Sequence, residues 1–257
     1  MIPWEHLNTA RIPGGGELRL MRRGAELSIM SGSIELMNSR LSGSEEALAK
    51  LTCAPLAAAT RPRVLIGGLG MGFTLRAALA DLPPAAEVIV AELVPAVVDW
   101  ARGPMAELFA GCLEDPRVAV RVADVAELIA EAQSQAQGAY DAILLDVDNG
   151  PGGLNREAND GLYSPAGLAA AARALKPGGV LAVWSATPDE RFAQRLRRSG
   201  YVVEEARVRA TGTKRGARHI IWLAHVPAAG VIPAARPSSS AAPHRRRRNG
   251  SPRPGRP

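Results

Sequence analysis

The sequence predicts an α/β fold: a mostly parallel sheet with a closing antiparallel strand, preceded by a small N-terminal β unit. Three observations predict it. From Arg63 onward, short apolar segments alternate with helical ones, the pattern of a parallel sheet built from strand–helix repeats. The first apolar segment, Val64–Ile66, runs straight into Gly67-Gly68-Leu69-Gly70-Met71-Gly72. Later ones are closely followed by an acid (Glu92, Asp124, Asp146), at the strand ends where such sheets bind ligands.

The elements follow in order. Residues 1–60 make the leading unit. Glu17–Arg22, Glu26–Met30 and Ser33–Met37 alternate with partial period two, punctuated by Gly24 and Gly32, which predicts a meander of short strands. Ser42-Gly43-Ser44-Glu45 reads as a capping box opening a helix to about Leu51, with Glu45 and Glu46 at its positive end. Residues 61–227 make the main domain. Thr74–Leu82 is helical, with Leu75, Leu79 and Leu82 on one face. Glu87–Ala91 is a strand and Pro95–Arg102 a helix with proline in its first turn. Arg117–Val122 is a strand, Val125–Ala136 a helix, and Tyr140–Leu145 a buried strand ending on Asp146. Ser164-Pro165 opens a helix that Lys176-Pro177-Gly178-Gly179 stops, and Val180–Ser185 is a strand. Thr187-Pro188-Asp189-Glu190 caps a helix ending at Gly200; Tyr201–Arg209 and His219–Ala224 close the fold as a strand pair. Residues 228–257, rich in Pro, Ala, Ser and Arg without apolar periodicity, read as a disordered basic tail.

Composition excludes several classes. The chain has 257 residues, 47% hydrophobic and 22% charged, enough for a core that needs no disulfide or metal staple. Cys53 and Cys112 are its only cysteines and form no CxxC, so a disulfide scaffold and a structural zinc site are not expected. No apolar run reaches the roughly 18 residues of a membrane span, and the N-terminal stretch has no apolar signal core; a cytoplasmic protein is expected. The formal net charge of +6 belongs to the tail, which holds seven arginines and no acid; without it 24 basic residues face 25 acidic ones. The basic balance therefore gives the fold itself no affinity for nucleic acid. The Arg245–Arg248 run reads as a solvated tail, the only place where contact with RNA or an acidic partner is conceivable.

The chemistry-bearing residues cluster at the predicted strand ends. Gly68, Gly70 and Gly72 let the backbone turn tightly and approach a ligand, with a helix N-terminus behind them; a plain βα turn would use the same glycines. Glu92 falls a little over ~20 residues further on, where an acid holds ribose hydroxyls in nucleoside-binding folds. Asp124 suits an N-cap, a ligand contact, or both. Asp146 could orient an amine or accept its proton, and Asp148 and Asn149 follow in a turn-forming Asn-Gly-Pro stretch. The segment from Val147 to Leu162 is long for an α/β connection, and Asn155, Arg156, Asn159, Asp160 and Tyr163 are candidate substrate contacts there. His219 and His225 have no ligand partner in sequence and read as structural. No GxSxG elbow is present and neither cysteine is activated, so nucleophilic catalysis is not expected.

From about Glu26 to Ala224 these residues resemble the spermidine synthases (polyamine aminopropyltransferases), within the Rossmann-like class I S-adenosylmethionine-dependent methyltransferase fold. Val64–Arg76 is similar to the family's strand-GGGDGG-xLR segment, and Ala91-Glu92-Leu93 to its VEI stretch. Asp115-Pro116-Arg117-Val118 and Ala123-Asp124 resemble its DPRV and GD segments, Tyr140–Asp146 its YDVIIVD. Leu162-Tyr163-Ser164 and Leu175–Gly179 also match. The resemblance implies a transferase of polyamine biosynthesis using decarboxylated S-adenosylmethionine or S-adenosylmethionine, without a metal, on a small amine, as a homodimer. It implies that Glu92 holds the ribose, Asp124 the adenine, and Asp146 acts as base, with Asp148, Asn149 and Tyr163 toward the substrate. The sequence departs from the family where Met71 replaces the amine-recognising Asp, Asn149 replaces the second Asp of DSSDP, and Ala47-Leu48-Ala49 replaces Tyr-His-Glu. These departures keep two alternatives open: a methyltransferase using ordinary S-adenosylmethionine, and a non-catalytic nucleoside-binding or interaction protein.

Overall fold

Leu18 and Leu20, then Leu27 and Ile29, alternate with more polar neighbours and bury one side of a small sheet, as period-two patterning requires. In the computed structural model, which describes residues 2–134, 139–147, 151, 161–211 and 216–228, this sheet has four antiparallel strands in sequential order. They are β1 (Glu5–Arg11), β2 (Glu17–Arg23), β3 (Glu26–Ser31) and β4 (Ile34–Asn38). Sequence patterning finds the last three and leaves β1 unassigned. The reason is physical: only Ala10 of β1 is buried, so the strand carries no apolar alternation. Backbone pairing to β2 and the Arg22–Glu5 ion pair (2.9 Å) hold it.

The second sheet has seven strands: β5 (Arg63–Gly67), β6 (Glu87–Glu92), β7 (Val118–Val122), β8 (Tyr140–Leu145), β9 (Leu175–Ser185), β10 (Val202–Arg209) and β11 (Arg218–His225). Their order is β10-β11-β9-β8-β5-β6-β7; β7 through β9 pair in parallel, while β11 and β10 close the sheet antiparallel. The order reverses between β5 and β8, which opens a crevice at their carboxyl ends.

Both faces of this sheet are covered, which is why β5 and β8 read as unbroken apolar runs. Val64, Ile66 and Leu144 face one core with α1 (Gly43–Cys53), α2 (Phe73–Asp81), α3 (Pro95–Arg102) and the inner side of the small sheet. Leu65, Ile143 and Leu145 face the other with α4 (Val125–Ala132), α5 (Pro165–Ala174) and α6 (Glu190–Arg198). Side-chain caps fix three helix starts: Asp124 accepts from the Ala126 N–H (2.9 Å), Ser164 from Gly167 (3.1 Å) and Asp189 from Phe192 (3.0 Å).

The fold corrects three local readings. Ser42 makes no capping bond. Ser44 Oγ instead donates to Glu45 Oε2 (2.7 Å), so no capping box forms and Glu45 is drawn toward the crevice. α4 ends at Ala132 rather than Ala136. Lys176-Pro177-Gly178-Gly179 lies within β9, which starts at Leu175; the step from Leu175 to Val180 opposite Tyr140 and Ala142 absorbs these residues as an irregularity beside β8. Residues 135–138, 148–150, 152–160 and 229–257 carry the expectations for Asp148, Asn149, Asn155, Arg156, Asn159, Asp160 and the basic tail, all of which lie outside the described residues. Among the described residues no helix is long and apolar enough to cross a membrane.

Candidate active site

The site is built where β5, β6, β7 and β8 end. After β5 the chain turns at Gly68, whose φ is +95° and whose N–H donates to the Ala91 carbonyl (2.8 Å). A Cβ on Gly68 would lie 2.5 Å from the Asp146 carbonyl oxygen, so the glycine lets β5 and β8 close on each other. A Cβ on Gly70 would meet Met37 Sδ of β4 at 2.8 Å. The turn is thus a backbone cradle with the small sheet pressed against it.

Glu92, at the end of β6, is buried and clamps the turn. Its Oε2 accepts from the Leu69 N–H (3.0 Å) and its Oε1 from Val94 (2.8 Å). Burial pushes its carboxyl above the usual range while these backbone donors pull the other way. Its carboxyl also lines the cavity. Asp124 caps α4 and also lines the cavity.

Asp146 lies at the floor of the cavity. Its Oδ2 accepts from Thr74 Oγ1 of α2 (2.7 Å), and that hydroxyl sits 3.5 Å from the Glu45 carbonyl oxygen. Burial first, and the Glu45 carboxylate second, push the Asp146 carboxyl up to about 7 against the Thr74 bond. Burial also raises Glu45. Ser44 gives its only proton to Glu45, so its oxygen accepts from Nδ1–H of His219 at 2.9 Å. The His219 ring packs edge-on against Trp184 (4.8 Å between centroids), and burial lowers its pKa. His219 is thus structural, as read from sequence, and it supports the site.

The cavity runs from Glu92, Val94 and Val97 past Gly68, Gly70 and Asp124 to Asp146 and Glu45. Glu45 is a cavity-lining carboxyl that sequence reasoning missed. Its signal, an acid in the first turn of a helix, was fully explained by the helix dipole, and only packing turns it inward. One expected contact lies away from the cavity. Tyr163 is buried in the second core, edge-on to Phe192 at 5.6 Å, because an aromatic ring beside α5 and α6 gains most by joining that core. Gly72 ends the glycine turn at the N-cap of α2 with φ +78°, its N–H donating to the Leu69 carbonyl (2.9 Å), and it packs against the Phe109 ring. Met71 is fully buried in the first core. Among the described residues no three His, Cys, Asp or Glu side chains converge as a metal site.

A pH dependence follows. In the unfolded chain Glu45 and Asp146 titrate near 4, and in the folded one both titrate higher. The folded state therefore binds more protons between about pH 4 and 7, and its stability is lost progressively as pH rises through that window. The thermal midpoint is expected to fall from pH 4 toward pH 8, and Glu45→Gln to flatten the slope; a variant with the wild-type slope would show that the pair is not its source.

Fold and cleft together define the class: a methyltransferase-like Rossmann domain whose strand-end crevice is edged by carboxylates and roofed by a small β-sheet. A spermidine synthase in complex with the transition-state analogue AdoDATO, and the spermidine synthase of Thermotoga maritima, each superpose with TM-score 0.64 at 18% identity, covering 86% of this chain and 72% of theirs. Human methyltransferase-like protein 13, in complex with SAH, superposes with TM-score 0.53 at 20% identity, over 77% of this chain and 83% of its own. The spermine/spermidine synthase domain model matches residues 46–194, and the chain belongs to that family. The polyamine aminopropyltransferase of Mycobacterium tuberculosis is 34% identical over 147 residues, 54% of this chain and 27% of that protein. That of Nitrosomonas europaea is 32% identical over 130 residues, 50% of this chain and 36% of its own. The chain thus spans about a quarter to a third of the length of these curated relatives.

Proposed function

We propose that this protein transfers the aminopropyl group of decarboxylated S-adenosylmethionine to the nitrogen of a small amine. The observation that carries the reading is Asp146: a carboxyl at the end of β8, raised to about 7, over a glycine cradle and beside a second carboxyl, Glu45. A base with its pKa near neutrality is suited to take a proton from an attacking amine. Gly68 and Gly70 admit the nucleoside, Glu92 accepts from its ribose hydroxyls, and Asp124 faces its base. The bound sulfonium supplies an electrophilic carbon and a neutral thioether as leaving group. The amine lone pair forms the N–C bond, the C–S pair passes to sulfur, and the released proton goes to Asp146. Positioning supplies most of the remaining rate.

Glu45 favours the decarboxylated donor, because the carboxylate of intact S-adenosylmethionine would enter a cavity already lined by the carboxyls of Glu45, Glu92, Asp124 and Asp146. Methyl transfer is the competing reading. The observation behind it is Met71, an apolar core residue where the family carries its amine-recognising acid. Product analysis separates them. Methylthioadenosine released from the decarboxylated donor, at a rate rising with pH through about 7, is expected. S-adenosylhomocysteine from the intact donor, with none of the first product, would establish methyl transfer. Neither product, with either donor still bound, would leave a binding protein.

A further inference from the structure

Glu45 enters the cavity from the first turn of α1, and its surroundings hold it there. The buried Ser44 hydroxyl donates to Glu45 Oε2 (2.7 Å), and Nδ1–H of His219 donates to the Ser44 oxygen (2.9 Å). Strand register brings His219 to this place. Ile220 and Ile221 of β11 pair with Ser185 and Trp184 of β9, and Val183 of β9 pairs with Leu145 of β8. Trp184 therefore comes level with Asp146. It lines the cavity, and its ring backs His219 edge-on at 4.8 Å. Across the helix turn, the Thr74 hydroxyl that bonds Asp146 (2.7 Å) sits 3.5 Å from the Glu45 carbonyl oxygen. One line of contacts, His219–Ser44–Glu45–Thr74–Asp146, fixes one carboxyl relative to the other.

We infer that Glu45 binds the ammonium of the donor's aminopropyl group, with Ser44 and His219 as positioning residues that aim its carboxylate. The inference rests on the aminopropyl-transfer reading and adds residues to it. In that reaction the attacked carbon is bonded to sulfur, and the ammonium ends the same three-carbon chain. With the attacking nitrogen at Asp146, the donor's ammonium must lie within the reach of that short chain. Glu45 is the carboxyl whose charge is felt at Asp146. Glu92 and Asp124 stand at the ends of β6 and β7, and both already accept from backbone N–H groups. The glycine turn brings Met71 here, and its side chain is buried in the first core. An ammonium beside Glu45 gains a charge-assisted hydrogen bond and relieves the like charge of the pair. A carboxylate held in advance by Ser44 also loses little freedom when the ligand arrives, so its aim bears on affinity.

The test titrates the full chain calorimetrically with two ligands: decarboxylated S-adenosylmethionine, and methylthioadenosine, the same nucleoside without the aminopropyl group. Glu45→Gln is expected to weaken the first at least ~10-fold and the second by less than about twofold. Glu45→Met replaces it if that variant folds poorly. Ser44→Ala and His219→Phe are expected to weaken the first ligand roughly three- to tenfold and to spare the second. His219→Asn, whose amide can donate from near the Nδ1 position, is expected to recover most of that loss. Equal losses for both ligands would mean a structural role and overturn the inference. So would wild-type donor affinity in Glu45→Gln, including the case in which only the KM of the amine rises and Glu45 serves the acceptor. Wild-type donor affinity in His219→Phe would remove His219 from the positioning role. Methylthioadenosine release by the wild type is measured alongside. Product formed with donor binding indifferent to Glu45 overturns this inference alone, whereas Glu45-dependent donor binding without product overturns the transfer reading.

Discussion

Asp146→Asn is expected to cut turnover by roughly 10²- to 10⁴-fold, the usual worth of a positioned general base, while nucleoside affinity changes by less than about threefold. The same variant is expected to be more stable than wild type at pH 8. There the native carboxyl is ionised beside Glu45 in a buried place that resists charge, whereas asparagine keeps the Thr74 hydrogen bond without the charge. A gain of roughly 1–2 kcal/mol, or about 2–8 °C in Tm, follows for a domain of this size. At pH 4 the wild-type carboxyl is already protonated and the gain should vanish. Calorimetry at both pH values, with steady-state rates and a nucleoside titration, checks the three claims together. Wild-type turnover in the variant would remove Asp146 from the chemistry. A Tm that does not rise at pH 8 would mean that the carboxyl is not penalised in the fold. Activity and stability pull in opposite directions at this residue because a base tuned toward neutrality is an acid held where its charge is unwelcome.

Gly68→Ala is expected to destabilise the fold by roughly 3–5 kcal/mol, enough to lower Tm by about 6–20 °C. Two costs add. The backbone at Gly68 has φ +95°, which side chains rarely adopt. The new Cβ would also fall 2.5 Å from the Asp146 carbonyl oxygen. That oxygen cannot move aside, because Asp146 N–H donates to the Gly67 carbonyl (3.0 Å) and Gly68 N–H to Ala91 (2.8 Å). Gly111→Ala isolates the first cost: φ is +77° there and nothing lies within 4 Å of the new Cβ, so only about 1 kcal/mol is expected. Comparable losses in the two variants would mean that the strand ends are not locked. The comparison also bears on why the glycine is there. A ligand cradle and a tight βα turn are both readings of Gly68, and the clash with Asp146 makes the glycine necessary before any ligand arrives.

Several features were legible in the sequence because they depend on near neighbours. Val64–Ile66 and Ala142–Leu145 are apolar on both faces, which a buried parallel strand must be and little else in a chain of this length is. Pro95, Ser164-Pro165 and Asp124 mark helix starts by chemistry that acts within one turn. β1 was not legible, because an edge strand with a single buried side chain is held by backbone pairing that leaves no trace in residue type. The placement of Tyr163 was not legible for a related reason. It stands beside the motif that suggested it, but its side-chain direction is set by a core that the distant residue Phe192 helps to build.

By itself the sequence determined the order of strands after β1 and of the helices between them, the glycine turn, and the acids at the ends of three parallel strands. Local patterning and turn chemistry decide these, and they need no knowledge of what lies across the molecule. Tertiary structure alone decided that Glu45 leaves the helix dipole's service to face Asp146, and that Met37 covers Gly70. It also decided that apolar side chains of the small sheet line the same cavity as the carboxyl pair. Glu45 and Asp146, about 100 positions apart, meet there, and burial together with like charge changes what a carboxyl is. Its proton affinity belongs to the cavity as much as to the residue.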